Sequence, residues 1–335
     1  MSNQPNTMTA ALVETANGDF RLADIAMPSL SPGHVLVQIH ASGVNPLDAK
    51  IRAGAAGHAQ HPLPAILGLD MAGVVVETGP GVTRFKAGDA VYGLTGGVGG
   101  HQGSLAEYAS VDADLLALKP ENLTMRQAAA IPLAFITAWE GLVDRAHVQA
   151  GQTVLVHGGA GGVGHMAVQI AKARGARVFA TDRKTKAEYL TALGATPIDF
   201  ERDDVDTYVA AHTGGRGFDL VYDTGGGAVL DASFKAVRTF GHVVSCLGWG
   251  THALAPLSFK AATYSGVFTL MPLLSGEGRA HHGEILAEAT KLAEAGLLVP
   301  RIDPTEFPLA AVQAAHDEMT SRAASGKVVV SLRPA

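Results

Sequence analysis

The sequence predicts an α/β protein in two parts, a β-rich N-terminal region followed by a doubly wound parallel sheet. Short alternating segments separated by Gly or Pro fill the chain through residue 120, which is typical of strands and turns. From residue 153, strand-like apolar runs alternate with helical patterns, which favours parallel strands joined by helices. The 335 residues are 47% hydrophobic and 17% charged, so more than one core can form.

The first region is predicted to hold strands and no long helix. Its strand-like segments are 35–40, 72–77, 90–92 and 105–111. A capping box at Thr124 to Gln127 then opens an alanine-rich helix that runs toward Trp139 and Leu142. The pattern changes at this helix.

In the second region, strands and helices alternate along the chain. The predicted strands are 153–157, 177–181, 218–222 and 242–247, and the predicted helices are 162–174, 184–193 and 228–238. An apolar segment at 266–270 is predicted to be the last strand, at an edge that would be exposed in a monomer. The C-terminal part is predicted to contain helices near 281–295 and 309–322 and a closing strand at 327–332.

A glycine-rich turn follows the strand at 153–157 and leads into a helix. The predicted dinucleotide-binding residues of this G-x-G-x-x-G turn are Gly159, Ala160, Gly161, Gly162, Val163 and Gly164. Gly159 would allow the tight turn, Gly161 a close approach of a pyrophosphate, and Gly164 close packing of helix on strand. The helix N-terminus would attract the phosphates.

Two other glycine clusters lack this context. Residues 96–103 are followed by alternating residues rather than a helix, so a mobile loop is predicted there. Residues 225–227 lie between a strand and a helix without the fingerprint spacing. They are expected to edge the same cofactor crevice, outside the carboxyl ends of the strands.

The end of the second strand carries conflicting signals about the cofactor. Asp182 stands where an acid would bind the ribose 2′-OH of NAD and repel a 2′-phosphate. Arg183, Lys184 and Lys186 offer three cations to that phosphate; the alternative is that they form a solvated helix start. NADPH is the predicted cofactor and NADH stays possible.

Three features of the sequence exclude or disfavour particular classes of function. They are its net charge, its cysteine content and its first residues. The formal net charge of −6 removes the main electrostatic argument for nucleic acid or an anionic membrane surface as a partner. A single cysteine, Cys246, excludes a disulfide framework and any zinc site built from several Cys ligands. The first residues carry no basic segment followed by an apolar one, and no window reaches 18 apolar residues, so a cytoplasmic protein is expected.

Several motifs along nearly the full length carry a family resemblance. They are Ser42-Gly43-Val44-Asn45-Pro46-Leu47-Asp48, Leu67 to Gly73, Gly103 to Tyr108, Pro132 to Trp139, the glycine turn, and Gly326-Lys327-Val328-Val329. With them the chain resembles the medium-chain dehydrogenase/reductase superfamily, specifically its zinc-independent quinone oxidoreductase (ζ-crystallin-like) branch. The resemblance implies a GroES-like catalytic domain over 1–124, completed by about 272–335. It also implies a Rossmann domain over 125–271, with the cofactor in the cleft between the two.

The resemblance also bears on zinc. In the alcohol-dehydrogenase branch the position of Asn45 carries a Cys ligand, and Gly68-Leu69-Asp70 reads Gly-His-Glu, whereas this chain lacks those Cys and His ligands. Zinc would polarise an alcohol for hydride loss. The expectation is therefore no metal, and an acceptor that is already electrophilic: a quinone or an α,β-unsaturated carbonyl compound.

Site residues follow by matching position. The resemblance implies that Asn45 lines the site near the nicotinamide and the substrate oxygen, and that Thr137 holds the carboxamide. Lys186 matches the family's 2′-phosphate lysine, and Arg322 an arginine that some relatives place near the adenosine phosphate. Several relatives have Tyr where this chain has Lys50, which would either stabilise an anionic product by charge or face solvent while water supplies the proton. The remaining predicted cofactor residues are Asp182, Arg183, Leu247 and Gly248.

The leading hypothesis is a zinc-independent oxidoreductase that transfers hydride from NADPH to a quinone or enone. One alternative is a ζ-crystallin-like nucleotide-binding protein with little catalysis, and another is an alcohol dehydrogenase. The expected partners are a small-molecule substrate and a second copy of the chain, because the family resemblance implies a homodimer that pairs through the last strand of the second sheet.

Overall fold

The computed structural model describes residues 6–333, and its backbone contacts divide the chain into two compact units. One unit runs up to Leu133 and resumes at Leu270, and the other comprises Ala134–Thr269. The domain limits proposed from the sequence, 125 and 271, lie just outside the second unit at its two ends.

The first unit begins with eight strands and two short helices. These are β1 (Thr7–Val13), β2 (Phe20–Ala26), β3 (His34–Gly43), α1 (Pro46–Arg52), β4 (Ala65–Ile66), β5 (Asp70–Thr78), β6 (Ala90–Leu94), β7 (Tyr108–Asp112), β8 (Leu116–Leu118) and α2 (Met125–Ala129). The predicted capping box is confirmed, because the Thr124 hydroxyl accepts from Gln127 N and the Gln127 side chain accepts from Thr124 N. The predicted strands near 35–40, 72–77 and 90–92 are confirmed as β3, β5 and β6.

Strands and helices then alternate through the second unit. The order is α3 (Pro132–Trp139), β9 (Thr153–His157), α4 (Gly162–Ala173), β10 (Arg177–Asp182), α5 (Ala187–Ala192), β11 (Thr196–Asp199), α6 (Val205–Thr213), β12 (Phe218–Asp223), α7 (Ala228–Ala236), β13 (Val237–Ser245), α8 (Ala255–Phe259) and β14 (Thr263–Gly266). The chain returns to the first unit with α9 (Met271–Ser275), α10 (Arg279–Glu294), β15 (Phe307–Pro308), α11 (Val312–Ser321) and β16 (Val329–Ser331).

A seven-stranded sheet organises the first unit. Its order is β15-β16-β3-β5-β6-β8, with β7 also paired to β3. The long strands β3 and β5 run antiparallel, with Gly43 opposite Asp70, and β16 adds to the other side of β3 with Val329 opposite Gly43. The register therefore brings the end of β3, the start of β5 and the last strand of the chain together.

The second unit is a six-stranded parallel sheet with the order β11-β10-β9-β12-β13-β14. Its core includes Leu155, Phe179, Phe218 and Val221, all buried. Since β9 and β10 lie on one side of the point where the strand order reverses and β12 on the other, the carboxyl ends of these strands form a crevice of the kind that binds ligands. The predicted doubly wound sheet is confirmed.

Two local predictions need correction. The predicted edge strand at 266–270 is wrong: the last strand ends at Gly266, and Val267 is buried outside it. Its apolar character reflects that burial rather than strand pairing. Residues 96–103, predicted to be a mobile loop, form an anchored turn, in which Gly97 N donates to His101 O and Gly99 N to Ala59 O.

Within residues 6–333, no helix has both the length and the apolar composition that crossing a bilayer requires.

Candidate active site

The glycine turn joins β9 to α4 as predicted. A methyl group at Gly164 would lie 2.0 Å from the Gly158 carbonyl oxygen, so only glycine lets the helix approach the strand this closely. At Gly162 such a group would meet nothing within 4 Å, and at Gly161 only the Gly158 oxygen at 3.1 Å. The turn is thus closed toward the sheet and open outward at the N-terminus of α4, which fits a pyrophosphate.

The tight turn itself belongs to Gly158 rather than to Gly159. Gly158 has the positive φ of 67°, which glycine adopts readily. Gly159 is constrained for another reason, because a Cβ there would lie 2.6 Å from the Ala180 Cβ on the neighbouring strand β10. The sequence pattern located the turn correctly but assigned to Gly159 the tight-turn conformation that Gly158 adopts.

Asp182 ends β10 and braces this turn. Its Oδ2 accepts from Ala160 N at 3.0 Å, and its Oδ1 accepts from Arg183 N at 2.9 Å. Arg183 is exposed and forms an ion pair with Glu201, whereas Lys186 is half-buried in the turn of 3₁₀ helix at Lys184–Lys186. The carboxylate and the cations thus lie on consecutive residues at the carboxyl end of β10.

Thr137, Leu247 and Gly248 belong to the same unit as the turn. Thr137 is buried on α3, where its carbonyl accepts from the Tyr222 hydroxyl at 2.7 Å. Leu247 and Gly248 follow β13, and Leu247 N donates to Ser245 Oγ at 3.0 Å. Ser245 in turn donates to Asp223, a buried carboxylate that also accepts from Gly225 N and Gly226 N. Sequence reasoning missed Asp223, although an Asp that ends a buried strand before three glycines was a usable signal.

In the first unit, Asn45, Asp70 and Lys327 form a polar cluster, which we call the amide–carboxylate–ammonium cluster. Asn45 is 2% exposed and Asp70 is fully buried. Asn45 Nδ2 donates to Asp70 Oδ2 at 2.9 Å, and Lys327 Nζ donates to Asn45 Oδ1 and, at 3.3 Å, to Asp70 Oδ2. The other Asp70 oxygen accepts from Leu133 N at 2.8 Å. Three motifs that carry the family resemblance therefore meet here.

The orientation of the Asn45 amide is determined by its two charged neighbours. Its nitrogen faces the Asp70 carboxylate and its oxygen faces the Lys327 ammonium. The opposite orientation would set a donor against an ammonium and an acceptor against a carboxylate. Because Nδ2 also donates to Gly43 O at 3.3 Å, both amide hydrogens of Asn45 are used within the protein.

A second buried carboxylate, Asp48, ties this cluster to the loop before β5. Asp48 Oδ2 accepts from Asn45 N at 2.8 Å, and Oδ1 accepts from Gly68 N at 3.1 Å. Burial raises the pKa of Asp48 to about 7, with a contribution from the charge of Asp70, while the two backbone N–H groups and Lys327 act in the opposite direction. Burial also raises the pKa of Asp70, against the effect of Lys327 and its hydrogen bonds.

Lys50 and Arg322 lie outside this cluster. Lys50 is exposed near the end of α1, and no hydrogen bond or ion pair joins its side chain to another described residue. Arg322 is exposed at the end of α11, where its φ is 61°. The lysine that the structure places beside Asn45 is Lys327, which sequence reasoning quoted only as part of a motif.

The residues around Asn45 do not fit a zinc ion. Among residues 6–333, no three His, Cys, Asp or Glu side chains are grouped closely enough to hold a metal. Asn45 offers an amide, Leu69 is a fully buried apolar residue, and Asp70 already faces the Lys327 ammonium. A second cation beside that ammonium would be repelled.

Comparisons with known proteins find relatives of both units. Two family models match: the alcohol dehydrogenase GroES-like domain over residues 31–121 and the zinc-binding dehydrogenase over residues 162–277. The NADPH-dependent alkenal/one oxidoreductase of Arabidopsis thaliana is 36% identical over 92% of this chain and 74% of its own length. The quinone oxidoreductase of Sus scrofa is 32% identical over 92% of each chain.

Among solved structures, an alcohol dehydrogenase superfamily protein from Novosphingobium aromaticivorans is 64% identical, with a TM-score of 0.96 over 98% of this chain and all of its own. The two units match the GroES-like and Rossmann domains that the resemblance implied. The chain therefore belongs to the medium-chain dehydrogenase/reductase superfamily, in its quinone oxidoreductase-like branch, and it is an oxidoreductase.

Proposed function

We propose that this enzyme transfers hydride from NADPH to a quinone or an α,β-unsaturated carbonyl compound without zinc. The observation that carries the proposal is the amide–carboxylate–ammonium cluster, in which Asn45, Asp70 and Lys327 bond one another. By the resemblance, Asn45 stands where the zinc enzymes have a Cys ligand. Such a cluster can bind an oxygen atom by hydrogen bonds and charge, which suits acceptors that need no metal to become electrophilic. The names of the Arabidopsis thaliana and Sus scrofa relatives support the same acceptor classes.

The glycine turn supplies the binding half of this function. When bound, the reduced nicotinamide cofactor supplies the hydride. The open side of Gly161 and Gly162 and the N-terminus of α4 would hold its pyrophosphate. Thr137 is proposed to hold the carboxamide, and Leu247 and Gly248 to line the carboxyl end of β13.

NADPH is preferred in this proposal because of Lys186 and its neighbours. Lys184 and Arg183 are exposed and Lys186 is half-buried just beyond β10, where a 2′-phosphate would be bound. Asp182 opposes that phosphate by charge, and its bonds to Ala160 and Arg183 fix it at this position. Arg322 is retained as a further phosphate ligand by resemblance.

The deciding experiment measures oxidation of NADPH and NADH with 1,4-naphthoquinone and with a 2-alkenal, with and without a metal chelator. We expect turnover with at least one acceptor, a higher kcat/KM with NADPH, and no loss on chelation. Tight binding of the dinucleotide without turnover of any acceptor would instead favour a binding protein with little catalysis. Loss of activity on chelation would revive a zinc-dependent dehydrogenase.

We further propose a cytoplasmic homodimer. The edge strand β14 has a hydrogen-bonded neighbour only on its β13 side within the described chain, and unpaired strand edges favour pairing with a second copy. Exposed apolar side chains lie near this edge, including Phe259 on α8 and Phe240, whose N–H donates to Lys260 O.

A further inference from the structure

The Lys327 ammonium has one N–H group without an acceptor in the described chain, whereas both amide N–H groups of Asn45 are hydrogen-bonded. A lysine ammonium has three N–H groups, and two of them are used by Asn45 Oδ1 and Asp70 Oδ2. The third has no acceptor among the described residues. Asn45, the residue expected to lie near the substrate oxygen, donates both amide hydrogens within the protein, to Gly43 O and Asp70 Oδ2.

The surroundings of Lys327 keep its charge close to the surface and out of bulk water. Its side chain is 11% exposed, and its partner Asp70 is fully buried. Charges in such a setting interact more strongly than they would in water. An oxygen atom that gains negative charge beside this ammonium is therefore stabilised, in the manner of an oxyanion hole.

We propose that Lys327 is a catalytic residue that binds the carbonyl oxygen of the acceptor and donates the proton that completes its reduction. The inference rests on the proposed function and concerns α,β-unsaturated carbonyl acceptors. Asn45 and Asp70 are then positioning residues, since Asp70 balances the ammonium and Asn45 fixes its direction.

The step balances as follows for an enone. The reduced nicotinamide, held at the glycine turn of Gly159 to Gly164, would supply a hydride and be oxidised in doing so. A C–H bond would form at the β-carbon of the acceptor as the C=C π bond breaks. The electron pair moves to the carbonyl oxygen, where an O–H bond forms as one N–H bond of Lys327 breaks. The amine of Lys327 regains its proton from water, and the enol product rearranges to the saturated ketone.

A double substitution tests whether Lys327 acts on the substrate or only neutralises the charge of Asp70. Lys327→Met alone leaves Asp70 buried without its cation, which can unfold the protein. Lys327→Met/Asp70→Asn removes both charges and keeps an acceptor for Leu133 N, so we expect it to fold. If Lys327 is catalytic, kcat for a 2-alkenal falls about 100-fold or more in the double variant, a loss of the size seen for one oxyanion-stabilising donor. The control Lys86→Met, at an exposed lysine of the same unit, should keep wild-type kcat.

A binding measurement gives a readout that does not depend on turnover. We expect 4-nitrophenolate, which presents an anionic oxygen, to bind the protein loaded with oxidised cofactor, followed by the phenolate absorbance. Its dissociation constant should rise about 10-fold or more in the double variant, equivalent to about 1.4 kcal/mol. Lys86→Met should bind it as the wild type does.

The outcomes distinguish the two claims. A wild-type enzyme that turns over no acceptor contradicts the proposed function, while the phenolate titration still tests Lys327. A double variant with wild-type kcat overturns the assignment of Lys327, since charge balance would then be its whole role. Phenolate binding that is absent in the wild type, or equal in the wild type and the double variant, overturns it as well.

Discussion

At Asp182, one carboxylate meets two requirements. It braces the glycine turn through Ala160 N, and its charge opposes a 2′-phosphate on the cofactor. Asp182→Asn keeps an acceptor oxygen for Ala160 and removes the charge. We expect the ratio of kcat/KM for NADPH to that for NADH to rise about 10-fold, equivalent to about 1.4 kcal/mol, in steady-state assays. Lys186→Met should move the same ratio in the opposite direction, and an unchanged ratio in both variants would place the 2′-phosphate elsewhere.

Asp48 makes the stability of the fold depend on pH. Its pKa is raised to about 7, so the folded chain holds this proton while the unfolded chain releases it near pH 4. The contribution of Asp48 to the free energy of unfolding should therefore fall as the pH rises from about 4 to about 7, and then level off. The buried His157 and His316, whose pKa values burial lowers to about 4, contribute in the opposite direction over this range. In Asp48→Asn this contribution, about 4 kcal/mol, should be absent, which urea unfolding of the variant and the wild type across the pH range measures. Asp206→Asn, at an exposed residue of α6, should follow the wild type.

The site residues that sequence reasoning found are those within one continuous motif. Asn45 and the glycine turn belong to local patterns whose spacing has a physical meaning. Lys327 lies 282 residues from Asn45, and only the pairing of β16 with β3 brings the two together. Lys50 was named because several relatives have Tyr at its position, yet α1 carries it to an exposed position.

At the scale of elements, two glycines have different roles where β9 turns into α4. Gly164 allows the helix to pack closely on the turn, and Gly162 leaves the outer side of the turn open. Gly164→Ala places a methyl group 2.0 Å from the Gly158 carbonyl oxygen, and we expect a loss of more than about 3 kcal/mol in the free energy of unfolding. Gly162→Ala meets nothing within 4 Å, and stability should stay within about 0.5 kcal/mol. Its methyl group would enter the phosphate side, so the dissociation constant for the dinucleotide should rise. Denaturant unfolding and a fluorescence titration of the two variants measure both effects, and equal stability of the two would contradict this account.

The elements that sequence reasoning missed are those with little apolar periodicity. Strand β2 is largely exposed, and α6 lies in a polar segment where Asp204 accepts from Thr207 N to cap it. Strand β13 was predicted at 242–247, and only its start was missed, because it begins directly after α7, at Val237, without the turn residues that usually separate two elements. The strongly apolar elements β9, β10, β12 and α4 were predicted close to their observed bounds because burial on a parallel sheet imposes a clear pattern.

At the scale of the whole molecule, the homodimer is the main prediction. We expect the enzyme to sediment as a dimer at micromolar concentration. Thr263→Lys places a charge on the exposed start of the edge strand β14, and charged edges oppose strand pairing, so this variant should sediment as a monomer. Thr207→Lys, at an exposed position of α6, should remain a dimer, and a monomeric wild type would contradict the proposal.

The pairing of β16 with β3 also determines when, during translation, the first unit can be completed. A ribosome releases β3 and β5 long before Lys327, which lies 282 residues after Asn45. Until then Asp70 has no ammonium partner, and burying its charge would be costly. The first unit therefore cannot reach its final electrostatic balance before β16 has emerged, and a chain that terminates before Gly326 keeps the glycine turn and loses the centre around Asn45.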